Sequence, residues 1–378
     1  MTEIIGSPQT DPTPSPPEPR ATDPASTNPA TIEPATTDPP TIEPAATDPP
    51  GDGGTAQKAR RVNPARRLAR TVTDPLLRTQ RLDNWVLLRS GVGALVMFWG
   101  LTLLPDLADL YGSSSIVPSQ GPRAGQFSVF RWWTGDIAVG VVLGLAVLGG
   151  LALALGVAVR LAAPVAFVAV TSLMASAPLM LNGGDDVLRL LLLFIALYAV
   201  IAPADGLNTA VGRLGLSEPP TGPPWGLVVI RIQIIAMYIV TVMDKMEGST
   251  WLGGTATVRA LNLQSMRRFW VPEFMLTSSA AHNLMTWGTL ATEVAIPILL
   301  INRRTRRWGI VLGVGFHAAL GYVLRLGLFP ATVTIAYLAF LTPAEASAIV
   351  GWVRRGADRI VGLRAKVPSP GTDQADDP

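Results

Sequence analysis

Apolar runs recur along this chain from Trp85 onward, falling at roughly 84–104, 136–156, 161–181, 186–203, 224–243, 279–302, 307–326 and 328–349. As helices rising ~1.5 Å per residue, runs of this length match a hydrocarbon core of ~30 Å. Helices are also the ordinary way for a spanning segment to satisfy its backbone where no water reaches. The pattern predicts an all-α, polytopic integral membrane helix bundle of about eight transmembrane helices, occupying residues 84–349. Ahead of it the polymer changes character. Residues 1–57 repeat a Pro, Thr and Asp-rich unit, TIEPATTDPP then TIEPAATDPP, with nothing to bury, and are expected to be disordered. No apolar core follows Met1, so no signal peptide is expected. Residues 58–83 form a basic juxtamembrane segment suited to an anionic leaflet, and 350–378 are basic and then disordered.

Composition agrees: 49% of the residues are hydrophobic and 15% charged, outside the range of an ordinary soluble domain. The net charge of +3 arises from arginines flanking apolar runs, which fits a lipid bilayer and not nucleic acid as the partner. With no cysteine and two histidines, neither thiolate chemistry nor an ordinary metal site is expected. Alternate connections carry nineteen Lys and Arg on one side against six on the other, which predicts a multi-pass protein of the cell membrane with both termini cytoplasmic. MDKMEGSTW and LNGGDD then lie at the outer face.

Charges inside spans carry the remaining information, since each costs several kcal/mol unless it finds a partner or faces the bundle interior. On the fifth span Arg231, Tyr238 and Lys245 recur every seven residues with Thr241 between, giving one polar stripe. On the sixth, His282, Thr286, Thr289 and Glu293 share a face, and Pro297 removes the helical donor of the Glu293 carbonyl. On the seventh, His317 lies one turn from Gly313 and from Gly321, where small residues admit a neighbouring helix. Bland readings stand beside these. Lys245 is also a residue that snorkels at a span end. Glu293 with Arg231 is also a structural ion pair, and Asp185 and Asp186 also cap the fourth span and pair with Arg189. Arg89 reads as an anchor in the basic flank, and Gly140 and Gly144 of GVVLG as packing residues.

The order of these residues resembles a known family. R-x-Q (Arg231, Gln233), Y-x6-K (Tyr238, Lys245), W-x2-G-T-A (Trp251, Gly254, Thr255, Ala256), Glu293 in the next span and His317 before LGLF-P are similar to the HTTM family. This is the horizontally transferred transmembrane domain shared with vitamin K-dependent gamma-glutamyl carboxylase. NGGDDVLRLLLLF, from Asn182 to Phe194, resembles its outer turn, and the likeness covers roughly residues 80–345. In that carboxylase the corresponding lysine deprotonates the vitamin K hydroquinone, and the oxidised quinol then drives carboxylation of a peptide glutamate, a carbon-carbon lyase-type chemistry. The resemblance thus implies catalytic roles for Lys245, Glu293 and His317. It implies substrate contacts from Tyr238, Trp251, Arg231, Asp185 and Asp186, and a reduced quinone as cofactor. Asp244 departs from the carboxylase, which has a second lysine there, and the lumenal region that binds peptide substrate is not expected in this chain.

Three classes of function fit these residues. One is a membrane enzyme acting on a lipid-soluble, quinone-like or membrane-proximal substrate at the outer face. The second is a non-catalytic transporter, or a maturation or export factor for a secreted peptide, in which Glu293 and His317 matter more than Lys245. The third is a scaffold whose N-terminal tail recruits a partner.

Overall fold

The computed structural model describes residues 76–112, 115, 126–178, 181–203, 207 and 220–365. The tail at 1–57, most of the basic segment at 58–83 and the end of 350–378 lie outside the described residues. A two-residue antiparallel ladder, β1 (Gln80–Arg81) with β2 (Thr221–Gly222), sets the beginning of one long helix beside that of another. Every other described element is helical.

Four long helices build the first half: α1 (Asp83–Leu103), α3 (Asp136–Leu155), α4 (Val159–Ser176) and α5 (Gly183–Ile201), with the short α2 (Leu107–Tyr111) after α1. Their packing is dictated by small residues. A Cβ on Gly93 would stand 2.6 Å from the Gly150 carbonyl oxygen, and one on Gly150 would stand 2.7 Å from the Met97 nitrogen. Backbone therefore meets backbone between α1 and α3, as lipid-embedded helices commonly pack. The GVVLG expectation is corrected here: Gly140 and Gly144 have open space where a side chain would go. Arg89 is corrected too. It is buried 2% exposed and donates to the Leu153 carbonyl at the end of α3, closing a helix terminus inside the bundle instead of reaching headgroups.

The second half consists of α6 (Trp225–Glu247), α10 (Ser279–Ile301), α11 (Arg306–Val323) and α12 (Phe329–Ala336). Between α6 and α10 lie the short helices α7 (Ser249–Leu252), α8 (Ala256–Asn262) and α9 (Glu273–Thr277). Trp85, Tyr198 and Trp225 stack in sequence at 4.2 and 5.0 Å and join α1, α5 and α6 across the two halves. Only 28% of α6 and 33% of α10 is buried, against 44–56% for α1, α3 and α4, so α6 and α10 turn much of their surface to lipid or to an interior space. Ile232, Ile298, Val311 and Leu148 belong to the exposed apolar surface that such a bundle presents to hydrocarbon.

Helices occupy all eight predicted stretches, but the eighth is not one span. α12 tightens into a 3-10 turn, Tyr337–Phe340, and the chain then bends by 118° into α13 (Pro343–Ala365). The cause is local. In LTPAE the Thr342 nitrogen donates to Glu345 at 2.8 Å while the Glu345 nitrogen donates to the Thr342 hydroxyl at 3.3 Å, a reciprocal cap with Pro343 at the first helical position. A helix start is thereby written into the middle of an apolar run. Among the described residues five helices are long and apolar enough to cross a membrane alone, and the bent pair makes a sixth candidate. The Asp185, Asp186 and Arg189 charges lower the apolar character of α5.

Candidate functional site

A cavity of about 820 Å³ lies among α5, α6, α10 and α11, lined mostly by apolar side chains such as Val187, Leu190, Met237 and Phe329. Its polar wall comes mainly from three helices, with Asp186 added by α5 and Gln233 by the deeper part of α6. Tyr238, Thr241 and Lys245 descend α6 on one face, Thr289 and Glu293 project from α10, and His317 projects from α11.

Lys245 and Glu293 form the central contact. The ammonium nitrogen lies 2.7 and 2.6 Å from the two carboxylate oxygens, with the lysine side chain 21% and the glutamate side chain 10% exposed. The arrangement joins α6 to α10 at the cavity wall. Trp251 closes over it, its ring centroid 5.2 Å from the Lys245 nitrogen, within cation-π range. That placement follows from the local sequence. Gly254 turns the chain between α7 and α8 at a φ of +69°, and a Cβ there would meet the Asn283 amide oxygen at 1.7 Å, so a glycine is required. Asp244, the residue before Lys245, is exposed.

Two turns deeper, Tyr238 hydrogen-bonds His317 Nε2 at 2.8 Å and, on the same hydroxyl, Tyr337 from the 3-10 turn. All three side chains are at most 2% exposed. His317 Nδ1 is buried with no protein partner among the described residues. Close approach of the helices makes this cluster: a Cβ on Gly313 would lie 2.4 Å from the Tyr337 hydroxyl, and one on Gly321 would lie 2.9 Å from Pro330 Cγ. The glycines flanking His317 thus seat α12 against α11, and the imidazole faces inward.

Residues 89–344 match the family model described as the HTTM domain. The chain belongs to the HTTM domain family. It is accordingly a multi-pass membrane protein of that carboxylase-related family, and no curated protein and no solved structure matches it.

Against this HTTM frame the sequence-derived residues separate. Lys245, Glu293, His317, Tyr238, Trp251 and Asp186 all line the one cavity. Arg231 does not: its Nε donates to the Ala339 carbonyl at 2.7 Å, and Glu293 pairs with Lys245, so the Arg231–Glu293 ion pair is absent. Asp185 is also outside the lining. It is a cap, accepting from the Asn182 nitrogen at 2.9 Å, while Asn182 accepts from Gly184 at 2.7 Å. Asp186 pairs with Arg189 at 2.8 Å and reaches the cavity from the same turn. This turn packs on the LGLFP segment, where a Cβ on Gly184 would meet Phe329 Cα at 2.5 Å. Of the sixth-span stripe, Thr289 and Glu293 face the cavity, whereas Thr286 bonds Thr257 of α8 at 3.3 Å. Tyr337 was not singled out from the sequence. Its signal was a hydroxyl in the otherwise apolar IAYLAF, four to five residues after the buried Thr332.

Proposed function

We propose that this HTTM protein is an intramembrane enzyme whose cavity receives a lipid-soluble, ring-bearing substrate with an acidic hydroxyl, of the quinol type. The observation that carries the reading is a bidentate ion pair, Lys245 with Glu293, on the wall of an apolar cavity beside a histidine whose Nδ1 has no protein partner.

The residues fit such a group. The volume of about 820 Å³ falls within the ~300–1,000 Å³ usual for ligand pockets, and the lining is mostly apolar with polar side chains from Gln233 to Lys245 along α6. Trp251, Met237 and Phe329 would flank a flat ring, and Lys245 and His317 would meet its oxygens. A reduced quinone held there supplies a weakly acidic hydroxyl. Within the ion pair the ammonium has no lone pair, so the Glu293 carboxylate is the proton acceptor, and Lys245 would stand opposite the negative charge left on the substrate oxygen. His317 hydrogen-bonds Tyr238 through Nε2, which holds the imidazole in the cavity wall. Tyr337 fixes the Tyr238 hydroxyl from behind. Since Lys245 sits two residues from the end of α6, the reaction takes place near one membrane boundary. The distribution of Lys and Arg supports a cell-membrane protein in which that boundary is the outer one and both termini are cytoplasmic.

A purified protein in nanodiscs should bind a naphthoquinol analogue, with binding reduced at least tenfold in Lys245→Met and in His317→Phe while folding is retained. Equal binding by wild type and both variants would reject the reading. The internal completeness of the ion pair favours a second reading, a non-catalytic carrier or export factor in which the pair simply bolts α6 to α10. That reading requires the Lys245→Met/Glu293→Leu double variant to keep its cellular phenotype.

A further inference from the structure

Behind the α10–α11 wall of the proposed site lies a second cavity of about 420 Å³, roofed by α8 and α9. Thr289, Leu320 and Leu324 line both cavities, so the two share a stretch of wall. The second is more strictly apolar: Leu261, Val271, Met275, Leu284, Met285 and Phe316 contribute hydrocarbon or thioether surface, and its polar side chains are three threonines, Thr257, Thr289 and Thr292. Among the described residues its lining includes no ionisable group. One wall position is a glycine with vacant space ahead of it, since a Cβ built on Gly288 meets nothing within 4 Å.

The roof is tied to the wall. Arg268 N donates to Val323 O at 2.9 Å and Arg325 N donates to Met266 O at 2.7 Å, which clips the segment after α8 onto the end of α11 that carries Leu324. Immediately beyond this clip, Phe269, Trp270 and Phe274 are exposed beside Arg267 and Arg268. Aromatic rings interleaved with arginine at the end of a span match the chemistry of the lipid headgroup boundary. A hydrocarbon chain, which has no hydrogen bonds to make, fits the slot.

We propose that this second cavity is a chain-binding subsite: it takes the hydrocarbon tail of the same ligand whose ring occupies the first cavity, and Gly288 keeps the slot open. The proposal rests on the site assignment above for the ring, but the slot's preference for a chain follows from its own lining. An alternative occupant of the slot is a free membrane acyl chain, which the test separates.

The experiment uses the full chain in nanodiscs and three probes: a naphthoquinol with a long alkyl tail ending in a diazirine, a tail-less naphthoquinol, and a phospholipid with a diazirine on its acyl chain. The wild type should be labelled by the tailed probe on Leu284, Met285 or Phe316. Gly288→Phe, which fills vacant space and replaces the residue least favourable to a helix short of proline, should lose that label and weaken the tailed probe at least tenfold. Its affinity for the tail-less probe should stay within twofold of wild type. Label elsewhere, or equal weakening of both naphthoquinols, overturns the proposal. Label from the phospholipid but not from the tailed quinol also overturns it, showing an acyl-chain site instead. Failure of the tail-less probe to bind wild type would refute the ring-site reading alone, while tail labelling of the slot, abolished by Gly288→Phe, would still identify it.

Discussion

Breaking the Lys245–Glu293 pair separates the energetic role of that contact from its chemical one. At 2.6 Å and an effective dielectric constant of ~20, the attraction between two unit charges is about 6 kcal/mol. Removing both ions from water offsets several kcal/mol of this, and the 21% exposure of the lysine side chain screens it further. A net coupling of about 2–3 kcal/mol remains for a double-mutant cycle of Lys245→Met and Glu293→Gln. Each single variant should lose stability by about 3 kcal/mol because it strands the partner's charge in an apolar wall, so with that coupling the double variant should lose about 3–4 kcal/mol, well short of the ~6 kcal/mol of two independent losses. Reversible unfolding of the four proteins in bicelles measures the cycle. Polar contacts between membrane helices average ~0.6 kcal/mol in such cycles, so a coupling no larger than this would refute the argument that the pair sits in a desolvated, preorganised geometry. Activity should behave differently from stability, staying abolished in the double variant although it is hardly less stable than either single variant. Recovery of activity in the double variant would show the pair to be a fastener alone.

Three further substitutions test neighbouring parts of the site. Tyr337→Phe removes one hydroxyl from a buried pair and should cost about 1–2 kcal/mol in unfolding measurements, with quinol binding reduced through the loosened Tyr238. Arg231→Met, outside the cavity, should destabilise by about 1–3 kcal/mol by stranding the Ala339 carbonyl, yet leave ligand affinity within twofold; a larger change in a binding titration would return Arg231 to the site. Gly254→Ala imposes a left-handed conformation on an L residue and drives its methyl into Asn283, so a loss of about 1–2 kcal/mol or more is expected by thermal unfolding, together with loosening of Trp251 visible in its fluorescence.

The bundle class was legible because period and length alone separate a lipid-facing helix from other structure, and the polar stripe of α6 was legible because seven-residue spacing keeps Tyr238 and Lys245 on one face. The partner of Glu293 was not legible. Spacing places a residue on a face of its own helix but carries no information about which residue of another helix stands opposite, and Arg231 and Lys245 were equally available by charge. The packing glycines were misread for the same reason: GVVLG has the expected spacing, but Gly93 and Gly150 are the ones that meet a neighbouring backbone. The interruption of the eighth run was written in the sequence as T-P-x-E and was outweighed by the hydropathy around it. Tyr337 went unnoticed because it lies at that interruption.

The interruption also determines how the floor of the cavity is suspended. The carbonyls it leaves over are held by two side chains from elsewhere, Asn84 on Leu341 at 2.5 Å and Arg231 on Ala339 at 2.7 Å. Tyr337 hangs from the same short turn. The position of its phenol is therefore inherited from the N-terminal turns of α1 and α6, whose Asn84 and Arg231 hold the turn. Inserting or deleting a single residue between Phe340 and Pro343 would shift that hydroxyl off Tyr238 and so disturb the cavity wall through a change outside the cavity lining.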